Sequence, residues 1–249
     1  MKNHILDKVS EDRWQQAQAW EAEVWISTEK ARAKWGKNLV WRLLAAIGLK
    51  PRDRGDDWNQ WWADRFDQYR FLPPRIERAI ELGCGPYTNM RLVLTSCQPR
   101  EMVLSDPLIR TYLEFPLSFV RRMQIEGKCT IDDHAIEECP FPDSSFDLVL
   151  MINVLDHVRD ADLCMARAAA LLRSQGWLII GQAMTDEQDL KVLEGKEGEI
   201  GHPIKVNEAW MATHLAGRFE PAIQRLLKRE EGRDPEHHCG TFLFAGSKR

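Results

Sequence analysis

The sequence predicts an α/β fold: a largely parallel, doubly wound sheet in the chain after Pro74, preceded by a tryptophan-rich helical extension. Three observations predict it. Short apolar runs (RAIEL, 78–82; EMVLS, 101–105; KCTI, 128–131; FDLVLMI, 146–152; GWLIIG, 176–181) alternate with segments at 86–98, 107–126 and 160–173. Those segments are long enough for crossover helices, and near-continuous apolar strands between helices indicate a parallel sheet covered on both faces. Gly83 and Gly85 follow the first run immediately. Eight of the ten tryptophans fall within the first 62 residues, where apolar residues return at three- and four-residue steps.

The elements can be justified in order. Ser10 is a suitable cap for a helix through EDRWQQAQAWEAEVW. A second helical pattern, EKARAKWGKNLVWRLLAAI, ends at Gly48 with Pro51 just beyond. KPRDRGDD then reads as a linker, and a third helix, WNQWWADRFDQYRFL, stops at Pro73–Pro74. GTFLFAGS (240–247) supplies a closing strand after a helix or strand region around 208–230. The expected division is an extension or lid over 1–74 and a core over 75–249, with a substrate-shaping insertion around 185–215.

Composition narrows the function classes. The chain has 249 residues, 44% of them hydrophobic, and a formal net charge of −4. Nucleic acid as the main partner is disfavoured, because phosphate binding needs a concentrated positive surface. The six cysteines are scattered without a C-x-x-C pair, as in a reduced cytoplasmic protein. No apolar run approaches the ~20 residues of a membrane span. A homodimer is compatible with these features.

The stretch ELGCGPYTN (81–89) resembles a cofactor loop, with glycines that let the backbone turn sharply and approach a ligand. Pro86 suits the opening of a helix. The dinucleotide fingerprint G-x-G-x-x-G needs glycine at 88, and Thr88 stands there. The loop is therefore less suited to a pyrophosphate than to a cofactor without phosphates. Asp106, at the end of EMVLSD and 21 residues after Gly85, can accept hydrogen bonds from the vicinal hydroxyls of a ribose. As a simpler role, it would cap the next helix.

AIELGCGPYTN, VLSDP, CPFPDSSFDLVLMINVLDHVRD and LLRSQGWLII together resemble the class I S-adenosylmethionine-dependent methyltransferases, in the small-molecule branch often called type 11. The resemblance covers about residues 76–185. It implies a Rossmann-like, seven-stranded, mostly parallel sheet with an antiparallel last strand. By position it places Glu81, Gly83, Cys84 and Gly85 around the methionyl part of S-adenosylmethionine, Asp106 at the ribose, Pro107 and Leu108 near the adenine, and Asn153 at the cofactor's edge. The family's acidic residue before its LPF motif falls at Ala135, leaving the adenine amino group to backbone near Ile136 or to Asp133. Tyr87 departs from the family's frequent third glycine; its ring either restricts the loop or reaches a ligand.

Methyl transfer needs the acceptor oriented and, for a hydroxyl, deprotonated. His157, on the turn after the fourth strand, is the candidate base, and His202 in EIGHPIKV is a second; either also suits a structural role. Tyr69, Arg70 and Tyr87 are the candidate acceptor-binding residues. HHCG (237–240) is read as a loop, because no second cluster has metal-ligand spacing. The leading expectation is an S-adenosylmethionine-dependent methyltransferase acting on a small-molecule hydroxyl, a sugar or polysaccharide precursor being one candidate. The alternatives are a non-catalytic S-adenosylmethionine-binding protein and an NAD-dependent dehydrogenase, the latter lacking the third glycine and a Tyr-x-x-x-Lys set.

Overall fold

The computed structural model describes residues 6–36, 54–186, 189 and 198–249. Seven strands form one sheet: β1 (Arg75–Leu82), β2 (Gln98–Ser105), β3 (Thr130–Asp132), β4 (Phe146–Ile152), β5 (Leu172–Met184), β6 (Phe219–Lys228) and β7 (Gly240–Lys248). Their order is β3-β2-β1-β4-β5-β7-β6. β1 to β5 run parallel, and β7 runs antiparallel between β5 and β6. Strand order reverses between β1 and β4, so their carboxyl ends diverge into the crevice where ligands bind in this architecture.

The apolar runs are continuous because both faces are covered. Val149 and Met151 of β4 enter one core cluster with Leu178 and Ile180 of β5. Leu148, Leu150 and Ile152 enter the other with Ile179. Helix α6 (Ala161–Leu171) packs on the first face. Helix α2 (Arg54–Arg65), the short α3 (Met90–Val93) and α5 (Phe119–Ile125) cover the second. Asp160 caps α6 through the Leu163 amide, and Ser118 caps α5 through the Arg121 amide.

The helical expectations need correction at several points. The predicted break between two N-terminal helices is absent. A single helix, α1, runs Glu11–Gly36, and within it the Ser27 hydroxyl bonds back to the Val24 carbonyl. The remainder of the second predicted helix, with residues 37–53 including most of the linker, lies outside the described residues. The third predicted helix ends at Arg65; Asp67, Gln68 and Tyr69 take positive φ in a 3₁₀ turn. The crossover at 107–126 divides into α4 (Ile109–Glu114) and α5, and that at 86–98 forms only α3. In the insertion, α7 (Gly198–Gly201) and α8 (Glu208–Leu215) are described, and the ambiguous region after them is strand β6.

The extension is fastened to the core at its beginning. Leu6 and Lys205 exchange two backbone hydrogen bonds, the Val9 amide reaches the Arg159 carbonyl, and the Ala161 amide reaches Asp7. Lys8 also pairs with Asp160 at 2.7 Å. Among the described residues, no helix is long and apolar enough to cross a membrane.

One close approach fixes α2 on the sheet. A Cβ at Gly181 of β5 would lie 2.6 Å from the buried Trp62 ring. Gly181→Ala is therefore expected to cost about 1–3 kcal/mol by overpacking. A thermal melt should show a fall of roughly 2–10 °C; an unchanged melting temperature would remove this contact from the account of how α2 is held.

Candidate functional site

The turn after β1 is built around a buried carboxylate. Glu81 accepts hydrogen bonds from the Asn89 and Met90 amides at 2.9 Å and from the Thr88 hydroxyl. Burial pushes its pKa up against those bonds. Gly83 and Gly85 have φ of +68° and +56°, a region where side chains are strained. A Cβ at Gly83 would strike Val154, whereas a Cβ at Gly85 would meet nothing within 4 Å. The loop thus closes on one side against the turn after β4 and stays open on the other.

That open side faces a cavity of about 390 Å³, within the size range of small-molecule sites. Its floor comes from Gly83, Cys84, Gly85, Asp106, Pro107 and Asn153. Asp106 accepts from the Gly85 amide through Oδ2 (3.0 Å) and from the Leu108 amide through Oδ1 (2.9 Å). Each oxygen keeps a lone pair for a further donor. Burial, reinforced by the nearby Glu21 carboxylate, pushes the Asp106 carboxyl up to about 7. Ala135, Ile136 and Glu137 form the wall beyond β2 and β3.

Helix α1 forms the opposite wall. Trp14, Gln18, Glu21, Trp25, Thr28 and Arg32 line the cavity, and their spacing of three and four residues is one helix face. The helix is tied to the glycine loop through Tyr87. The Tyr87 hydroxyl donates to Glu29, Glu29 pairs with Arg32 at 2.5 Å, and the Arg32 guanidinium lies over the Tyr87 ring. Trp25 meets the same ring edge-on, and Asn59 of α2 donates to the Tyr87 carbonyl. Trp14 and Gln18 each donate to the His157 carbonyl, pinning α1 to the turn after β4.

A charged cluster stands above the end of β4. His157 Nδ1 lies 3.2 Å from Glu21, and His157 Nε2 lies 3.8 Å from Asp156. His202 Nε2 is 3.8 Å from the other Asp156 oxygen, and the two imidazole rings are 4.5 Å apart. Burial acts to lower the His157 pKa, but Glu21 and Asp156 outweigh it and push it up to about 10. Burial acts to raise Glu21 and Asp156, and the neighbouring imidazole overcomes it in both, so each is lowered. Gln182 also donates to Asp156 at 3.0 Å.

The expected site residues separate into groups. Gly83, Cys84, Gly85, Tyr87, Asp106, Pro107, Ile136, Asn153, His157 and His202 all line the cavity. Glu81 lies beneath the loop and shapes it instead of lining the cavity. Tyr69 does not line it either: it is fully buried and stacked on Phe66. Arg70 is exposed beside Asp67; the 3₁₀ turn directs both residues away from the crevice. Asp133 pairs with Arg110 outside the cavity, which leaves backbone near Ile136 on the adenine-side wall. His157 carries its proton to well above neutral pH, so it does not suit the role of base. Glu21, Trp25 and Arg233 belong to the site without having been singled out by the sequence; the three-and-four spacing along α1 is the signal that marks the first two.

Comparison with known proteins agrees with this geometry. Residues 80–180 match the family model described as a methyltransferase domain. A protein of Mycobacterium tuberculosis described as a probable S-adenosylmethionine-dependent methyltransferase is 26% identical over 140 residues, which are 55% of this chain and 48% of that protein. The N-methyltransferase NodS of Bradyrhizobium japonicum, solved with S-adenosyl-L-homocysteine, superposes with a TM-score of 0.53 at 14% identity, covering 89% of this chain and 98% of that one. The [4+2]-cyclase SpnF superposes with a TM-score of 0.56 at 15% identity, covering 78% of this chain and 80% of that one. The chain spans less than half the length of the curated relatives it matches. Residues 80–180 thus match a methyltransferase domain, and they lie in a sheet whose strand order is consistent with the class I S-adenosylmethionine-dependent methyltransferase fold.

The Tyr87 anchor can be tested directly. Tyr87→Phe deletes the hydroxyl bound to Glu29 and leaves the ring contacts, at a cost of about 1–3 kcal/mol. Hydrogen exchange should accelerate in α1 while β4 and β5 keep their protection. Equal protection of α1 in both proteins would show that the hydroxyl does not hold the helix down.

Proposed function

We propose that the protein is an S-adenosylmethionine-dependent methyltransferase that methylates a hydroxyl of a small acceptor enclosed beneath α1. The observation that carries this reading is Asp106, a buried carboxylate facing the cavity with one lone pair free on each oxygen. Those lone pairs match the vicinal hydroxyls of a ribose. The open space at the Gly85 Cβ position admits a chain along the loop, and Cys84 and Asn153 flank it. Ile136 and Pro107 provide apolar walls for a flat base. When bound, the cofactor supplies the electrophilic methyl group.

The chain's own contribution is orientation, exclusion of water and removal of a proton. Residues 6–36 and 54–72 serve as the lid, with α1 as its inner surface. His157, held as an imidazolium between Glu21 and Asp156, joins the lid to the turn after β4. His202 is the better-placed base: it lines the cavity beside Asp156, whose carboxylate can orient the ring and stabilise the charge it gains. A hydroxylated acceptor such as a sugar derivative suits such a base, and cytoplasmic action accords with the composition.

Two measurements test this. An acid that titrates near 7 in the free protein and must be ionised to accept two hydroxyl donors makes binding stronger as pH rises. Calorimetric affinity for S-adenosylhomocysteine should therefore level off above about pH 7 and weaken by up to about tenfold per pH unit below it. Asp106→Asn should weaken binding and flatten that profile; a wild-type profile in the variant would sink the ribose assignment. In turnover across a panel of hydroxylated acceptors, His202→Ala should lower kcat by about 10²-fold or more with S-adenosylhomocysteine affinity retained. An undiminished kcat would remove His202 as the base.

A further inference from the structure

The cavity wall away from Asp106 contains a guanidinium that the cofactor reading does not use. Arg233 lies in the connection between β6 and β7 and lines the cavity with Trp58 and Trp62. Its guanidinium stacks on the Trp58 ring and stands 5.9 Å from the Trp62 ring centre. Among the described residues, no carboxylate comes within ion-pair distance of it; Asp234 and Asp156 act on it only at longer range. Burial lowers its pKa to about 9, against the pull of those two carboxylates. A desolvated cation without a close counter-ion is costly to keep in a folded protein.

The other guanidinium in the cavity is committed, since Arg32 is paired with Glu29 beside Tyr87. Arg233 is held in place by its surroundings. The Gly232 amide bonds to the Lys228 and Arg229 carbonyls, the His238 amide to Asp234, and the Cys239 amide to Met184 at the end of β5. Arg229 is fixed in turn by Asp189 at 2.7 Å. Trp62 rests on Gly181 of β5, so Arg233 stands on the β5 and β7 side of the crevice, opposite Asp106 at the end of β2. An adenosyl group at Asp106 leaves that side to the acceptor.

We propose that Arg233 anchors an oxyanion of the acceptor, a carboxylate or a phosphate, so that the substrate class is hydroxylated small acids and not neutral sugars or alcohols. The inference rests on the methyltransferase reading for the word acceptor, but the anion site itself does not depend on it. The planar fork of arginine suits bidentate binding of such a group, and the Trp58 ring lies directly against it. An anionic acceptor would complete the charge balance at this wall.

The test uses the full chain with and without saturating S-adenosylhomocysteine. Probes are inorganic phosphate and two matched pairs, 4-hydroxybenzoate with 4-hydroxybenzamide and glucuronate with glucuronamide, followed by thermal shift and calorimetry. At least one anion should bind below about 10 mM, and an acid should bind about thirtyfold more tightly than its amide. Arg233→Met should abolish that difference, Arg233→Lys should restore part of it, and both should keep wild-type S-adenosylhomocysteine affinity. Binding of no anion in this range, or equal binding of acid and amide, would overturn the proposal. A loss of S-adenosylhomocysteine affinity in Arg233→Met would also overturn it, by assigning the guanidinium to the cofactor's own carboxylate. Arg233-dependent anion binding in a protein that fails to bind S-adenosylhomocysteine would keep the anion site and reject the cofactor reading.

Discussion

The site depends first on Glu81. A carboxylate buried at the end of β1 has lost its water, and it is tolerable there only because the chain folds back to supply donors. Thr88, Asn89 and Met90 supply them. Satisfying that one group closes the turn, forces Gly83 and Gly85 into positive φ, and lifts the segment between Gly85 and Thr88 above the sheet. Tyr87 is presented upward as a result. Without the carboxylate, neither the open side of the loop nor the anchor for α1 has a reason to form.

Above the loop, polar groups pay for their burial in pairs. Glu29 is shared by Tyr87 and Arg32, and Glu21 is neutralised by His157. Both acids belong to α1, and each reaches one partner across the cavity's edge: Tyr87 for Glu29 and His157 for Glu21. Helix α1 is therefore attached by charge-assisted bonds in a partly desolvated setting, where such bonds are stronger than at the surface. The same arrangement explains why His157, which sequence position offered as a base, carries its proton: an imidazole between two carboxylates is a cation by design of its surroundings.

Much of the sheet was legible because strand burial writes itself plainly. FDLVLMI is apolar at nearly every position, and β4 occupies that stretch. The antiparallel β7 followed from the resemblance and from GTFLFAGS. The floor of the site was legible for the same reason, since Gly83, Gly85 and Asp106 sit at strand ends whose positions the pattern fixed. Tyr69 and Arg70 were misplaced because a helical period was carried past Arg65, and only backbone geometry reveals the positive φ values that turn them aside. Arg233 could not be found from its neighbours, because a β-hairpin connection brings it to the crevice from more than 170 residues beyond Trp58. Glu81 was placed correctly on the chain but given a ligand contact, although its short-range partners, Thr88 to Met90, were visible within the next nine residues.

The stripe Trp14, Gln18, Glu21, Trp25, Thr28 and Arg32 separates two tasks that many enzymes combine in the same segments. The sheet and its turns hold the features needed for the cofactor, while one face of one contiguous helix forms much of the roof. Residues on that face belong to no strand, and they meet the core through the His157 turn and Tyr87. Much of the cavity's roof is thus encoded in a nearly linear stretch of sequence, whereas its floor is gathered from strand ends far apart along the chain.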